Sequence, residues 1–222
     1  MRRKMIFADR AEAGQLLGER LAAMDLADPL VLALPRGGVP VGAEIARRLA
    51  APLDVVLVRK IGAPGEPELA VGAVADGASP EIVLNDRLVA LLGLGEDYIT
   101  AQAMRELATI EQRRREYEGL RPRIEPAGRT AIVVDDGVAT GMTMQAALRS
   151  LRRQRPARLI AAAPVASREA AAMLRQEADD VVCLGTPRSF GSVGYYYRSF
   201  AQVSDEDVAT LLEQAGRAAR AN

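Results

Sequence analysis

Short apolar runs alternate with amphipathic stretches along most of the chain. Five apolar runs have the length expected of buried strands, at residues 30–34, 53–58, 131–134, 159–163 and 181–184. Two further short strands are predicted at residues 69–75 and 81–84. Helical spacing follows most of these strands, and a long helical segment at residues 86–118 is broken at Gly93 and Gly95. The pattern is typical of an α/β protein.

Capping residues support the first and the last predicted helix. Asp9, followed three residues later by Glu12, predicts the start of a helix that ends near Asp28. Ser204 stands immediately before three acidic residues and predicts the start of the closing helix. Both helices therefore have a defined N-terminus in the sequence.

Strands that alternate with helices at this spacing favour a doubly wound, mainly parallel sheet flanked by helices. The sequence has no internal repeat and no clear linker, so we expect a single domain over residues 1–222, with a helical insert at about 86–118. Ligands of such sheets bind beyond the carboxyl ends of the strands. Segments that begin at Pro35, Arg59 and Asp135 follow predicted strands, and we expect them to converge on one site.

The composition limits the chemistry available to that site. Of the 222 residues 49% are apolar, and 29 basic residues balance 29 acidic ones, which excludes a disordered tail and a strongly basic nucleic-acid coat. The chain has no histidine, which excludes a Ser-His-Asp triad, a Cys-His pair and a His-ligated metal. Cys183 is the single cysteine, so no disulfide forms within the chain, and its apolar neighbours predict a buried strand.

The segment VVDDGVATGMT, residues 133–143, carries the strongest chemical signal. Its strand delivers Asp135 and Asp136 to one point, where adjacent carboxylates accept hydrogen bonds from vicinal hydroxyls or hold a hydrated cation. The residues that follow supply small side chains, two hydroxyls and backbone N–H groups at a helix N-terminus, which suits a phosphate. The chain lacks the G-x-x-x-x-G-K-[ST] sequence of nucleoside triphosphate sites, so the pattern favours a sugar phosphate.

This segment resembles the phosphoribosyl-pyrophosphate (PRPP) loop of the type I phosphoribosyltransferases. The resemblance implies the α/β fold of that family, with a small additional unit, the hood, that holds the acceptor base. It also implies Mg²⁺ as the cofactor and a homodimer. It also implies that Asp135 and Asp136 hold the ribose and contact the metal, directly or through water or ribose hydroxyls. The loop that wraps the phosphate would comprise Gly137, Ala139, Thr140, Gly141, Met142 and Thr143.

Two further segments resemble the same family. ALPRGGVP is similar to its pyrophosphate loop, in which a non-proline peptide that is often cis presents backbone N–H groups, with Arg36 and Gly37 as the residues concerned. RKIG, which begins at Arg59, resembles the segment that opens the flexible catalytic loop. Lys60 is one of two lysines beside 27 arginines, and its compact ammonium suits a pyrophosphate. The hairpin at residues 66–74 would shield the reaction from water.

One position departs from part of the family. The 6-oxopurine enzymes carry an acidic residue immediately before the Thr-Gly of the phosphate loop, and Ala139 stands at that position here. The Ala-Thr-Gly sequence resembles that of the adenine and orotate enzymes instead. Hypoxanthine and guanine are therefore disfavoured as acceptors, and neither adenine nor orotate is established.

The acceptor site has no family motif, because the hood that holds the base is not shared within the family. Five of the eight aromatic residues lie in a short stretch of the C-terminal segment, about residues 186–222, which is one hood candidate. Phe190, Tyr195 and Tyr196 would then bind the acceptor by stacking, or the cluster would only fix the final segment to the core. The insert at residues 86–118 is a second hood candidate or a dimer surface.

These observations predict a Mg²⁺-dependent phosphoribosyltransferase, in which Arg36, Lys60 and the metal stabilise the leaving pyrophosphate and the paired carboxylates position the ribose. Two alternatives remain open. One is a PRPP or nucleotide sensor that binds nucleic acid through the arginines of residues 113–115 and 152–153, although the neutral net charge disfavours this partner. The other is a ribose-phosphate hydrolase.

The chain is expected to act in the cytoplasm. Its N-terminal segment has basic residues but no apolar stretch followed by a cleavage site. No segment of the sequence reaches the roughly 18 apolar residues that a membrane span requires. We therefore expect no membrane partner.

Overall fold

The computed structural model of the protein describes residues 6–76, 80–118 and 123–220. Residues 1–5, 77–79, 119–122 and 221–222, which belong to the predicted single domain, lie outside the described residues. The helices within the described ranges are α1 (Arg10–Ala22), α2 (Gly38–Leu49), α3 (Asp86–Leu92), α4 (Glu96–Glu118), α5 (Met142–Arg153), α6 (Arg168–Leu174) and α7 (Asp205–Arg220). The strands are β1 (Pro29–Ala33), β2 (Leu53–Val55), β3 (Val58–Ala63), β4 (Glu66–Ala75), β5 (Glu81–Leu84), β6 (Thr130–Val134), β7 (Arg158–Val165) and β8 (Asp180–Gly185).

Five strands form a parallel sheet in the order β2-β1-β6-β7-β8. Alternate residues of β1 contact different helices, because successive side chains of a strand point to opposite faces. Leu30 and Leu32 pack in one cluster with α5 and α6, whereas Val31 and Ala33 pack in another with α1, α2 and α7. Both faces are covered, which explains the uninterrupted apolar runs. The predicted doubly wound α/β fold is confirmed.

The register of the two central strands brings their carboxyl ends to the same level. Ala33 of β1 lies opposite Val134 of β6. Beyond the paired residues, the Leu34 N–H donates to the Val134 carbonyl at 2.8 Å. The loops that follow β1 and β6 therefore begin side by side.

The apolar run at residues 53–58 is divided between two sheets, so the prediction of one strand there is wrong. β2 ends at Val55, and β3 begins at Val58 in a separate antiparallel sheet of order β3-β4-β5. The Leu57 N–H donates to the Asp76 carboxylate at 3.1 Å, and the Leu57 carbonyl accepts from the Asp76 N–H at 2.9 Å. Because Asp76 satisfies both backbone groups of Leu57, the chain leaves the parallel sheet at this point.

Both predicted helix caps are confirmed. The Asp9 carboxylate accepts from the Glu12 N–H at 2.9 Å, and the Ser204 hydroxyl accepts from the Asp207 N–H at 3.0 Å. The first helix nevertheless ends at Ala22 rather than near Asp28, where the backbone turns to a positive φ of 43°. Its predicted C-terminus is therefore wrong by more than one turn.

A buried ionic cluster joins α4 to the edge of the parallel sheet. The Arg114 guanidinium donates to the Asp76 carboxylate at 2.9 Å through Nε and to the Val55 carbonyl at 3.1 Å. A second carboxylate, Asp54, lies 3.8 Å from the same guanidinium, and all three side chains are at most 11% exposed. The cluster fixes α4 at the point where the chain passes from β2 to β3.

Candidate active site

The end of β6 presents two adjacent carboxylates. All five residues of β6 are buried, and Asp135 and Asp136 follow directly. The Asp135 carboxylate accepts a hydrogen bond from the Asp136 backbone N–H at 2.8 Å. Burial raises the pKa of Asp135 well above its ordinary value, and the charge of Asp136 raises it further. A ligand that brings a cation or hydroxyl donors would favour the charged form.

Asp136 is held by an arginine from the first helix. Arg10 Nε lies 2.7 Å from Asp136 Oδ2, and the two side chains are only 12% and 13% exposed. Burial raises the pKa of Asp136, while the hydrogen bond and the charge of Arg10 act to lower it. The Tyr197 hydroxyl donates to the Asp136 backbone carbonyl at 2.6 Å. Both the carboxylate and the backbone of Asp136 are thus fixed.

Arg10 has further contacts that fix its position. Its Nη1 donates to the Ala201 carbonyl at 2.7 Å, and its guanidinium carbon lies 3.9 Å from the centre of the Phe200 ring. Sequence reasoning missed Arg10, because 126 residues separate it from Asp136 and no local pattern marks such a pair. The C-terminal aromatic cluster was the only available signal.

The loop after β1 lies against the paired carboxylates. The peptide bond between Pro35 and Arg36 is cis, one bond before the pair Arg36 and Gly37 indicated by the resemblance. A Cβ atom on Gly37 would overlap the Asp136 carboxylate, and one on Gly38 would lie 2.6 Å from the Val134 carbonyl oxygen. Glycine is therefore required at both positions for the loop to approach the end of β6.

Arg36 contacts the C-terminal helix in this structure. Its Nη1 lies 3.6 Å from the Asp205 carboxylate, which also faces Arg113 at 4.0 Å and accepts from the Tyr117 hydroxyl at 3.4 Å. The Arg36 and Asp205 side chains are 35% and 54% exposed. An exposed pair of this kind is weak, so an anionic ligand can compete with Asp205 for Arg36.

The loop after β6 ends in a helix N-terminus without a capping side chain. Val138 pairs with Ala166, and the Ser167 hydroxyl donates to the Ala139 carbonyl at 2.6 Å, which ties the loop to the segment after β7. Gly141 takes a φ of +84° immediately before α5 and carries no side-chain cap. By contrast, α1, α3 and α6 are capped by Asp9, Asn85 and Ser167. The first N–H groups of α5 are therefore available to an anion.

One cavity of about 680 Å³ brings the expected segments together. Its described lining comes from three groups of residues. The sheet wall consists of Pro35, Asp135 and Thr143, at the ends of β1 and β6 and the start of α5. The helix wall consists of Tyr98, Gln102 and Glu106 of α4. The β3–β4 hairpin, including Arg59 and Lys60, supplies the rest of the described lining.

Arg59 and Lys60 lie inside β3 and not in a loop after a strand, because β3 begins soon after the chain leaves the parallel sheet. Arg59 Nε donates to the Glu106 carboxylate at 2.7 Å, which joins the hairpin to α4. The Lys60 side chain is exposed, and the residue lines the cavity. The ammonium is therefore accessible to a bound anion.

The helix wall occupies one face of α4. Tyr98, Gln102 and Glu106 are spaced by four residues, so their side chains follow one another along the helix. The adjacent face carries Ile99 and Ala103, which are buried in the core. The Tyr98 hydroxyl donates to the Gly62 carbonyl at 2.8 Å, so the hairpin holds this side chain at the cavity.

The C-terminal aromatic residues pack mainly into the protein. Tyr196 is 5% exposed, its hydroxyl donates to the Phe190 carbonyl at 2.8 Å, and the two rings lie 5.4 Å apart. Tyr195 is 66% exposed. None of the three is among the described residues that line the 680 Å³ cavity. The arrangement matches the alternative that the cluster fixes the final segment to the core, and an acceptor role for these residues stays a prediction.

The arginines considered for nucleic-acid binding contact carboxylates of this chain. Arg114 is buried in the cluster with Asp76, and Arg113 and Arg115 face Asp205 and Glu111. The second group behaves in the same way: Arg152 pairs with Asp179, and Arg153 pairs with Glu81. These pairs neutralise the charge that a phosphate backbone would use.

The chain belongs to the phosphoribosyl transferase family, since the family model for the phosphoribosyl transferase domain matches residues 4–198. A provisionally named phosphoribosyl transferase of Mycobacterium tuberculosis, from strains CDC 1551 and H37Rv, is 42% identical over 213 residues. The match covers 96% of this chain and 47% of that protein. The chain thus spans about half the length of the curated relatives it matches.

Two solved structures share the fold of this chain. The crystal structure of the TT1426 protein from Thermus thermophilus is 46% identical, with a TM-score of 0.81 over 95% of this chain and 99% of that one. The AQ2163 protein from Aquifex aeolicus, at 11% identity and a TM-score of 0.51 over 91% of this chain and 83% of that one, shares the fold alone. No helix in the described ranges is both long and apolar enough to cross a membrane.

Proposed function

We propose that the chain is a Mg²⁺-dependent phosphoribosyltransferase, which transfers ribose 5-phosphate from PRPP to a nucleobase or a related nitrogenous acceptor and releases pyrophosphate. The observation that carries the proposal is the single cavity shared by Pro35, Lys60, Asp135 and Thr143. These residues come from three motifs that are far apart in the chain. A volume of about 680 Å³ lies within the usual range for small-molecule sites.

The 5-phosphate is assigned to the N-terminus of α5. The uncapped first turn offers N–H donors and the positive end of the helix dipole. Thr143 adds a hydroxyl that lines the cavity, and Ala139 and Thr140 are exposed at the start of the loop. The loop therefore combines backbone and side-chain donors for one phosphate group.

The paired carboxylates are assigned to the ribose and to Mg²⁺. Among the described residues, no group of three or more His, Cys, Asp or Glu side chains is arranged to hold a metal. Mg²⁺ commonly binds one or two carboxylates and completes its shell with water and substrate phosphates. Asp135 and Asp136 fit a metal that shares its ligands with the substrate. When bound, Mg²⁺ would neutralise negative charge on the pyrophosphate.

Catalysis would consist mainly of stabilising the leaving group. Departure of pyrophosphate leaves positive character on the ribose ring while negative charge grows on the pyrophosphate oxygens. Lys60 and Arg36 supply positive charge on that side, and the peptide groups at Arg36 and Gly37 supply donors. Arg36 reaches this role by exchanging its exposed contact with Asp205 for the pyrophosphate.

The test is pyrophosphate release from PRPP with Mg²⁺, run with a panel of purine and pyrimidine bases and without an acceptor. Acceptor-dependent release is expected, and the double variant Asp135→Asn/Asp136→Asn should lose at least about a thousandfold in rate while it keeps its circular dichroism spectrum. A near-normal rate in that variant contradicts the assignment. Release without acceptor would identify a hydrolase, and PRPP binding without release would identify a sensor.

Homodimerisation and a cytoplasmic location also stay proposals, as the family resemblance implies them. Two large apolar side chains of the helical insert, Leu91 and Met104, are 77% and 66% exposed, which supports a dimer formed through this insert. Sedimentation velocity of the protein and of Leu91→Asp tests the dimer. A monomer in both samples contradicts it.

A further inference from the structure

We propose that the helix wall of α4 binds the acceptor, and that the acceptor is a planar nitrogen heterocycle whose edge carries a hydrogen-bond donor beside a hydrogen-bond acceptor. This inference rests on the proposed transferase function and adds to it the residues and the chemical class of the second substrate. It places Gln102 at the centre of recognition, between Tyr98 and Glu106.

The position of the helix wall is fixed by the packing of α4. Ile99, Ala103 and Ile110 are at most 6% exposed and belong to the main core, so α4 cannot rotate without exposing them. The buried cluster at Arg114 fixes the C-terminal part of the same helix to the parallel sheet. The three wall residues are therefore held at the cavity by the rest of the protein.

The sheet wall and the helix wall differ in chemistry. The sheet wall has the carboxylates and the helix N-terminus assigned to PRPP, with Lys60 beside it. The helix wall has a phenol ring, an amide and one carboxylate whose charge is matched by Arg59 at 2.7 Å. A second substrate on the helix wall would share the cavity with the ribose, and a displacement at the anomeric carbon requires the two substrates to lie in one site.

The Gln102 side chain has hydrogen-bonding capacity that the protein does not use. Across the described part of the chain, its amide has no hydrogen-bond partner. An amide offers an N–H donor and a carbonyl acceptor side by side, which pairs with a lactam edge or with an exocyclic amine beside a ring nitrogen. Glu106 has one oxygen held by Arg59 and adds a second acceptor. The Tyr98 ring supplies a flat apolar surface near the same edge.

The competing location for the acceptor is the C-terminal aromatic cluster. Tyr196 and Phe190 pack on one another, and neither lines the described part of the cavity. Tyr195 is exposed but does not line it either. A base stacked on Tyr195 would not contact the helix wall, so the two locations predict effects in different variants.

The experiment compares Gln102→Leu with Gln112→Leu in steady-state pyrophosphate release. Both glutamines lie on α4, but Gln112 is exposed and outside the cavity, so it provides a matched control. The probes are adenine, cytosine and uracil, which have the donor–acceptor edge, and benzimidazole, which keeps a ring nitrogen without it. Gln102→Leu should raise the KM of the accepted base about ten- to hundredfold and leave the KM of PRPP within about twofold. Gln112→Leu should change neither value.

Four results would overturn the inference. The first two concern Gln102→Leu: an unchanged KM of the base, or an equal rise in the KM of PRPP. The third is turnover of benzimidazole at the rate of the other bases. The fourth is a rise in the KM of the base that occurs only in Tyr195→Ala. Calorimetric titration with PRPP and Mg²⁺ separates this inference from the proposed function. Turnover of another nitrogenous acceptor but of none of the bases rejects the acceptor class alone. Absence of PRPP binding, or PRPP binding without release with any acceptor, rejects the proposed function.

Discussion

The two walls of the cavity are built in different ways. The sheet wall comes from the ends of two buried parallel strands, and its ligand groups are contiguous in sequence with those strands. The helix wall comes from side chains of α4, which is positioned by the β3–β4 hairpin and by Arg114. Binding groups of the first kind depend mainly on backbone geometry, whereas those of the second kind depend on packing between distant segments.

This difference explains why one wall can be recognised in the sequence. A loop that binds phosphate through N–H groups needs small residues in a fixed order, and Gly141 with its φ of +84° is an example. A face of a helix needs only a spacing of four residues and tolerates many side chains. The sheet wall can therefore be recognised by a motif in the sequence, and the helix wall cannot.

The largest expected effect concerns the buried ionic cluster at Arg114, which fixes the helix wall to the parallel sheet. Arg114→Met removes the guanidinium that pairs with the buried Asp76 carboxylate and lies 3.8 Å from Asp54, so we expect the free energy of unfolding to fall by about 3–5 kcal/mol. Urea denaturation followed by circular dichroism measures this. Arg115→Met, on the same helix but with a side chain 79% exposed, should change stability by less than about 1 kcal/mol. Equal losses of stability in the two variants would contradict the conclusion that the Arg114 cluster fixes α4 to the parallel sheet.

Substitution of Lys60 tests whether the β3–β4 hairpin contributes to stabilising the leaving pyrophosphate. Lys60→Met removes one positive charge beside the assigned pyrophosphate, and we expect pyrophosphate release to slow by about a hundredfold. Lys60→Arg keeps the charge and should recover part of the rate. The Lys60 side chain is exposed, so neither variant should alter the thermal unfolding midpoint. Rates within about twofold of the parent protein would exclude a catalytic role.

Arg10 tests how the sheet wall holds its carboxylates. Arg10→Met removes the guanidinium that lowers the pKa of Asp136, so that pKa should rise and the acidic limb of the rate profile should move to higher pH. We expect a loss of about tenfold at neutral pH, because Asp136 is less well positioned. Arg20→Met, an exposed position on the same helix, is the control. An unshifted profile would show that Arg10 has a structural role only.

Cys183 offers a probe that is remote from both walls and should have no effect on activity. It lies in β8, as the sequence predicted, but it is only partly buried, so the prediction of a fully buried strand is wrong. Its partial burial raises the pKa of its thiol to about 11. Two pKa units above the ordinary value lower the thiolate fraction near pH 8 about a hundredfold. Alkylation by iodoacetamide should therefore be about a hundred times slower in the folded protein than in guanidinium.

The raised pKa of Cys183 also predicts a pH dependence of stability. Deprotonation of the thiol opposes folding, so its contribution to the free energy of unfolding changes only between the ordinary pKa of about 9 and the folded value of about 11. Within that range, stability falls as the pH rises.

The same probe distinguishes partial from complete unfolding. If Arg114→Met releases only the helix wall, Cys183 should stay protected at denaturant concentrations where the variant has already lost activity. Simultaneous loss of activity and protection would mean that both walls unfold as one unit. Cys183→Ser shows the background of the labelling reaction.

The sequence predicted the parallel sheet and its helices because each face of β1 and β6 needs apolar residues, and such runs are visible without a structure. It misassigned residues 53–58, because the backbone of Leu57 bonds to Asp76, and no local pattern reports a bond over 19 residues. Arg10 was missed for the same reason. The sequence left open whether the C-terminal aromatic residues bind an acceptor or pack into the core. Composition alone does not show that the Tyr196 side chain is buried.

The segment that contains the hairpin and α4 leaves the parallel sheet after Val55 and returns to it at Thr130. The helix wall and the hairpin therefore belong to one continuous segment, inserted between β2 and β6 of the parallel sheet. Such an arrangement is modular, because the segment begins and ends at strands of one sheet and the flanking strands can keep their sequence. A chimera that carries this segment from another member of the family should change its acceptor and keep its sugar-phosphate donor.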